Sequence, residues 1–292
     1  MMTACASADV ETQSTSAAVD AVQCSGTDPG PGLELIADWS EGEQRELLVT
    51  ESITGAGTDP TMDGVVGTSR VTVTALDVDD AELMLRWATS ATDFDDASID
   101  PAEESLPAMD MDFGVDSLGN IVQVGNLEEI LDEARAMYGA LEDEALLELL
   151  GGDLEIYQTP NLSIGEGETL TEPTRMISPM MAQLVDAVRT VEHLGTDDGG
   201  CEVVRVSRHT GPDAIIEDLD DLLEELDNPD ERPNAFDDVG ADGAVVRTAT
   251  YRFDHGINRV RQVEFTEAWA IFGAGGIDSR VETKIFTDVT DQ

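Results

Sequence analysis

The sequence predicts an α+β protein, with antiparallel β-sheet in two weakly similar halves packed on a few short helices. Three observations carry that reading. Alternating, β-branched runs such as Val71-Thr72-Val73-Thr74 recur along the chain. A strand-turn-strand pattern over Asp112 to Val124 returns near the C-terminus over Tyr251 to Val260. Apolar residues also fall at helical spacing in two places. Leu127, Ile130, Leu131 and Ala134 follow the capping residue Asn126, with Glu129 three residues on, and Ile215 to Leu226 line a helix whose other face is almost entirely acidic.

At 292 residues the chain buries a full core, as one large domain or two intimately packed ones. The expected division is a leader remnant and disordered linker over 1–32, a first half over 33–152, and a second half over 153–292. Asp and Glu number 63 against 15 Lys and Arg, a formal charge of −48. The acids are spread along the whole chain, so nucleic acid is excluded as a partner and an anionic membrane surface is disfavoured. Of the basic residues only Lys284 is lysine. A dispersed acidic surface with almost no lysine is expected of a protein bathed in high salt, where screening suppresses self-repulsion.

The elements follow in order. Met2-Thr3-Ala4-Cys5 has the form of the end of a bacterial lipoprotein signal, and Cys5 is the expected acylation site if the gene starts upstream. Ala6 to Gly32 offers little to bury and reads as a linker. No apolar run approaches the roughly 18 residues of a membrane span. Leu33 to Asp38 and Leu47 to Thr54 read as two antiparallel strands joined through the turn Trp39-Ser40-Glu41-Gly42-Glu43. Ser69 to Val78 and Ala81 to Thr89 form a hairpin across Asp79-Asp80, and Asp93 to Pro107 is a surface loop. After the central hairpin and its helices, Gly139 divides the helices and Gly151-Gly152 ends the second. The pattern then restarts with Ile164-Gly165-Glu166-Gly167-Glu168, a turn like the one at Trp39. Met181, Leu184, Val185, Val188 and Val191 fit helical spacing, yet a hairpin with Cys201 to Val206 favours a strand from about Leu184. Three strands close the chain, near 244–254, 258–272 and 278–289.

With those turns in place, the chain resembles an uncharacterised family of exported bacterial lipoproteins. The resemblance rests on Leu35 to Glu51, the Asp116 to Val124 turn with the Leu127-Glu128-Glu129-Ile130 helix, Gly165 to Thr169, and the closing Phe253 to Val263 hairpin. More remotely it is similar to the periplasmic lipoprotein carriers and mycobacterial lipid-binding lipoproteins. That likeness implies a strongly bent, half-barrel-like sheet wrapped around helices and able to enclose an acyl chain. Its walls would be Trp39, Trp87, Phe113, Leu127, Ile130, Leu131 and Trp269. No functional residue carries over, because no site motif is shared.

The residues that could carry chemistry are few. His193, His209 and His255 have no zinc-binding spacing, the three cysteines are scattered, and neither a G-x-S-x-G elbow nor a phosphate-binding loop occurs. Neither metal nor cofactor is implied. Acidic pairs such as Asp110/Asp112, Glu166/Glu168 and Asp220/Asp221 arise by chance among 63 acids. Two functions from different classes follow. The first is a non-catalytic envelope lipoprotein, exported and lipid-anchored, with a lipid or other apolar ligand as partner and the N-terminal anchor as its only membrane contact. The second is a secreted hydrolase using scattered carboxylates. With Cys5 set aside for the lipid, Cys24 and Cys201 remain as an even pair in a disulfide-permissive compartment and are expected to be bonded. Nothing in the sequence indicates an oligomeric state.

Overall fold

A computed structural model describes residues 22–26, 33–35, 39–54, 66–78, 82–90, 93–94, 110–116, 121–125, 162–177, 184–210, 244–273 and 276–290. Among these the protein is all-β, which corrects the α+β class. The helices expected over 126–150 and 214–226 lie outside the described residues. In the first half the strands are β1 (Leu33–Leu35), β2 (Gln44–Thr54), β3 (Val66–Val78), β4 (Glu82–Thr89), β5 (Asp93–Phe94), β6 (Asp110–Asp116) and β7 (Ile121–Val124). In the second they are β8 (Leu162–Ile164), β9 (Thr169–Ile177), β10 (Leu184–Thr196), β11 (Glu202–Thr210), β12 (Ala244–Asp254), β13 (Arg259–Gly273) and β14 (Gly276–Asp288).

One twelve-stranded antiparallel sheet holds nearly all of them, in the order β7-β6-β4-β3-β2-β14-β13-β12-β11-β10-β9, with β5 pairing to β3 beside that path. Each half is a meander, and β14 joins them by pairing with β2, Phe286 opposite Val49. The halves therefore share one sheet. The first strand does not pair with the second as expected from the sequence. β1 instead pairs with β8, Leu33 opposite Ile164, in a separate two-stranded sheet.

The stretch with two periodicities is strand. In β10 Val185, Ala187 and Val191 are buried while Val188 is 46% exposed. Val188 and Val191 therefore do not share a face as a helix would require. Pairing with β9 and β11 on both sides outweighs the 3.6-residue spacing.

The two halves repeat one another down to single hydrogen bonds. In the turn before β2, Ser40 N donates to Glu43 Oε2 at 3.0 Å and Glu43 N to Ser40 O at 2.9 Å. Before β9, Gly165 N donates to Glu168 Oε2 at 2.9 Å and Glu168 N to Gly165 O at 2.9 Å. The third residue of each turn is a glycine at positive φ, 78° for Gly42 and 72° for Gly167, a conformation that disfavours any Cβ. Gly42 N then donates to Ala75 O, and Gly167 N to His193 O. Each of those acceptors precedes a β-bulge, after Ala75 in β3 and after His193 in β10. The bulged residues, Leu76 and Leu194, are both exposed. A second matched pair of bulges lies at Gly114/Val115 and Arg252/Phe253, where Gln123 and Gln262 sit opposite Gly114 and Arg252.

Alternation sets one face of the sheet inward. Leu47 and Val49 on β2, Val73 on β3, Trp87 on β4, Phe113 on β6 and Phe286 on β14 all belong to one buried cluster. It continues through Val263, Tyr251, Val204 and Val191 in the second half. On a flat sheet β4 and β14 would lie about 14 Å apart, yet the Trp87 and Phe286 rings are 6.4 Å apart, edge to face. The inner face is therefore concave here.

Candidate functional site

The apolar inner face, concave between β4 and β14, is the candidate site, and both halves contribute to its buried cluster. Trp87 and Phe113, expected as wall residues, are buried in its cluster. Trp39 belongs to the same cluster from the turn before β2, and the Arg45 guanidinium carbon lies 3.6 Å from its ring centroid. Trp269 occupies β13, opposite Val245 and Arg280. Leu127, Ile130, Leu131 and Cys5 lie outside the described residues.

Around Trp39 the face ends in ion pairs. Arg45 Nε donates to Glu43 Oε1 at 2.8 Å. Burial pushes the Glu43 carboxyl up, but the bound Ser40 N–H and the Arg45 guanidinium outweigh it and hold this group below its usual value. Arg259 Nε lies 2.5 Å from Asp288 Oδ2, and Arg259 Nη2 donates to Oδ1 at 3.0 Å. The Thr290 N–H and hydroxyl donate to the same Oδ1 at 3.0 and 2.7 Å. Asp288 thus ties the start of β13 to the end of β14, and Glu46 N, donating to Thr290 Oγ1 at 2.9 Å, fastens the start of β2 to the same place.

Another edge is fastened by the N-terminal segment. Cys24 and Cys201, 177 residues apart, form a disulfide with a Cα–Cα distance of 5.0 Å. Cys24 N donates to Gly199 O at 2.9 Å. Ser25 N and Oγ donate to the two oxygens of buried Asp254 at 3.1 and 2.5 Å. The turn beneath is held by Asp197, whose Oδ1 accepts from Gly199 N at 2.9 Å and Cys201 N at 3.0 Å. A Cβ at Gly199 would stand 2.5 Å from Val22 O, so only glycine allows this approach.

One step inward from the disulfide is a buried pair that the sequence did not single out. His193 and Glu202 are 4% and 3% exposed, with His193 Nε2 at 2.8 Å from Glu202 Oε2. The Thr196 hydroxyl donates to Glu202 Oε1 at 2.7 Å. His193 Nδ1 is buried without a hydrogen-bond partner among the described residues. The signal was present but faint. His193 alternates with Val191, and Glu202 with Val204 and Val206, so each polar residue occupies a place the pattern reserves for the core.

The acidic pairs serve structure. Asp112 takes two bonds from Arg86, at 2.7 and 2.9 Å, and Glu168 caps its own turn. Asp220 and Asp221 lie outside the described residues. No group of three metal-binding side chains occurs among the described residues.

The chain matches no protein-family model and no curated protein. The resemblance to exported lipoproteins thus rests on turn pattern alone. Among solved structures it is similar to lipovitellin, in a structure concerned with that protein's lipid–protein interactions. The TM-score is 0.45 and the identity 8%, over 86% of this chain and 25% of the lipovitellin chain, so it spans a quarter of that protein's length. It is also similar to DynF from the dynemicin biosynthesis pathway of Micromonospora chersina, at a TM-score of 0.20 and 7% identity over 92% of each chain. An outer membrane channel from Pseudomonas putida F1 aligns at a TM-score of 0.21 and 8% identity, over 90% of this chain and 99% of the channel. Likenesses at these scores assign the chain no family, ligand or activity.

Proposed function

We propose that this is a non-catalytic, exported cell-envelope protein, lipid-anchored through Cys5, whose concave sheet face receives a lipid or another apolar ligand. The observation that carries the reading is the continuous apolar inner face, built by both halves around Trp87, Phe113, Tyr251 and Phe286. Apolar, aromatic concavities are where such ligands bind. The Cys24–Cys201 bond supports export, because disulfides persist in oxidising compartments. The hydrolase reading gains nothing comparable. The buried acids Glu202, Asp254 and Asp288 are engaged by His193, Ser25 and Arg259 respectively.

The test is organic extraction of the purified protein followed by mass spectrometry. A lipid present in near-stoichiometric amount is expected. If none co-purifies and the stripped protein takes up none from vesicles, the reading fails. Labelling cells with a fatty-acid probe tests Cys5 separately.

A further inference from the structure

The buried pair on β10 and β11 stands at a place for which the fold supplies its own control. Because the halves repeat, His193, Glu202 and Thr196 correspond to residues of the first half. His193 and Ala75 both accept the turn glycine's N–H and both precede the bulge. Beyond the bulge Thr196 pairs with Glu202 as Val78 pairs with Leu83. The first half builds the same turn, bulge and pairing with Ala75, Leu83 and Val78. A buried histidine and carboxylate are therefore not required to make this corner, and burying them opposes folding.

Their arrangement leaves one atom unused. The two oxygens of the Glu202 carboxyl group face the Thr196 hydroxyl and His193 Nε2. That contact occupies Nε2 and leaves Nδ1 as the free hydrogen-bonding site of the ring. Among the described residues nothing meets it. Its neighbours on the sheet are buried and apolar. Val204 lies opposite His193, Phe253 lies opposite Glu202, and Val191 precedes on the same face. Thr196, at the end of β10, is exposed, so the pair sits just inside one end of the inner face.

We infer that His193 is a polar anchor for the carboxyl head of a ligand whose apolar tail lies along the concave face, with Glu202 and Thr196 as positioning residues. The inference rests on the apolar-ligand reading above and names the ligand class, a long-chain carboxylic acid. A neutral ring accepts a hydrogen bond at Nδ1 from the protonated acid. An imidazolium donates to the carboxylate while Glu202 balances its charge. Either way one strong hydrogen bond forms, with a buried group that otherwise lacks one.

The experiment compares palmitate with methyl palmitate, which has the same tail and no ionisable head, on the full oxidised chain. The wild type is expected to bind palmitate roughly tenfold or more tightly than the ester. The triple variant His193→Ala, Glu202→Leu, Thr196→Val installs the first-half residues and is expected to bind both alike, at the level of the ester. In parallel, the ¹⁵N resonance of His193 Nδ1 in the wild type should shift on adding palmitate and not on adding the ester. That readout requires no variant to fold. Equal binding of both probes by the wild type, a preference that survives the triple substitution, or an unmoved Nδ1 resonance overturns the anchor and leaves the apolar-ligand reading standing. If the wild type binds neither probe, both fall.

Discussion

Glu43 shows how much a single side chain settles here. Its carboxylate receives the Ser40 N–H, pairs with the buried Arg45 and so holds Arg45 over Trp39. Its folded-state value is depressed below 4.5. The stability it contributes is therefore present above that value and is lost as pH falls through the lower, folded one. Glu43→Gln should cost roughly 1 kcal/mol near neutral pH. The gap between variant and wild type should then shrink below about pH 4. Urea unfolding at the two pH values reads this out, and a gap that does not change with pH would mean the carboxylate's charge plays no part.

At the scale of elements, the two matched turns make a paired prediction. Gly42 and Gly167 both have positive φ, and a Cβ added at either would meet no atom within 4 Å. Alanine at either should cost about 1 kcal/mol, from backbone conformation alone. Chemical denaturation of Gly42→Ala and Gly167→Ala should give similar losses, and a large inequality would break the equivalence of the halves. These turns were readable in the sequence, because Gly and Glu at fixed offsets act locally. The strands flanking the first turn were readable too, from their alternation, whereas β9, which follows the second turn, was not singled out. Pairings between distant segments left no such trace. Nothing in Leu33-Glu34-Leu35 points to Leu162-Ser163-Ile164, and nothing in β14 names β2 as its neighbour. The site was hidden for a further reason. His193 and Glu202 are single polar letters in apolar alternations, and they meet as diagonal neighbours only because β10 and β11 pair with His193 opposite Val204, a register that no local signal announces.

For the whole molecule, the charge of −48 acts chiefly on the compact state. Thermal midpoints should climb from about 0.05 M to 2 M NaCl as screening shortens the range of repulsion. A flat series would show that the acids are neutralised locally. Against that repulsion stands the Cys24–Cys201 bond, which closes a span of 177 residues. On the chain-entropy estimate this contributes up to about 5 kcal/mol, less whatever native strain and residual denatured structure subtract.

The same bond has a consequence for cleavage. Everything from Cys24 to Cys201, the whole first half together with β8, β9 and β10, lies in one covalent ring, whereas β11 to β14 lie outside it. A single nick inside the ring opens it and releases no fragment. A nick beyond Cys201 separates a piece held only by its place in the sheet, where β14 lies between β13 and β2 and β11 lies beside β10. Such a piece would leave only by tearing out the seam between the halves.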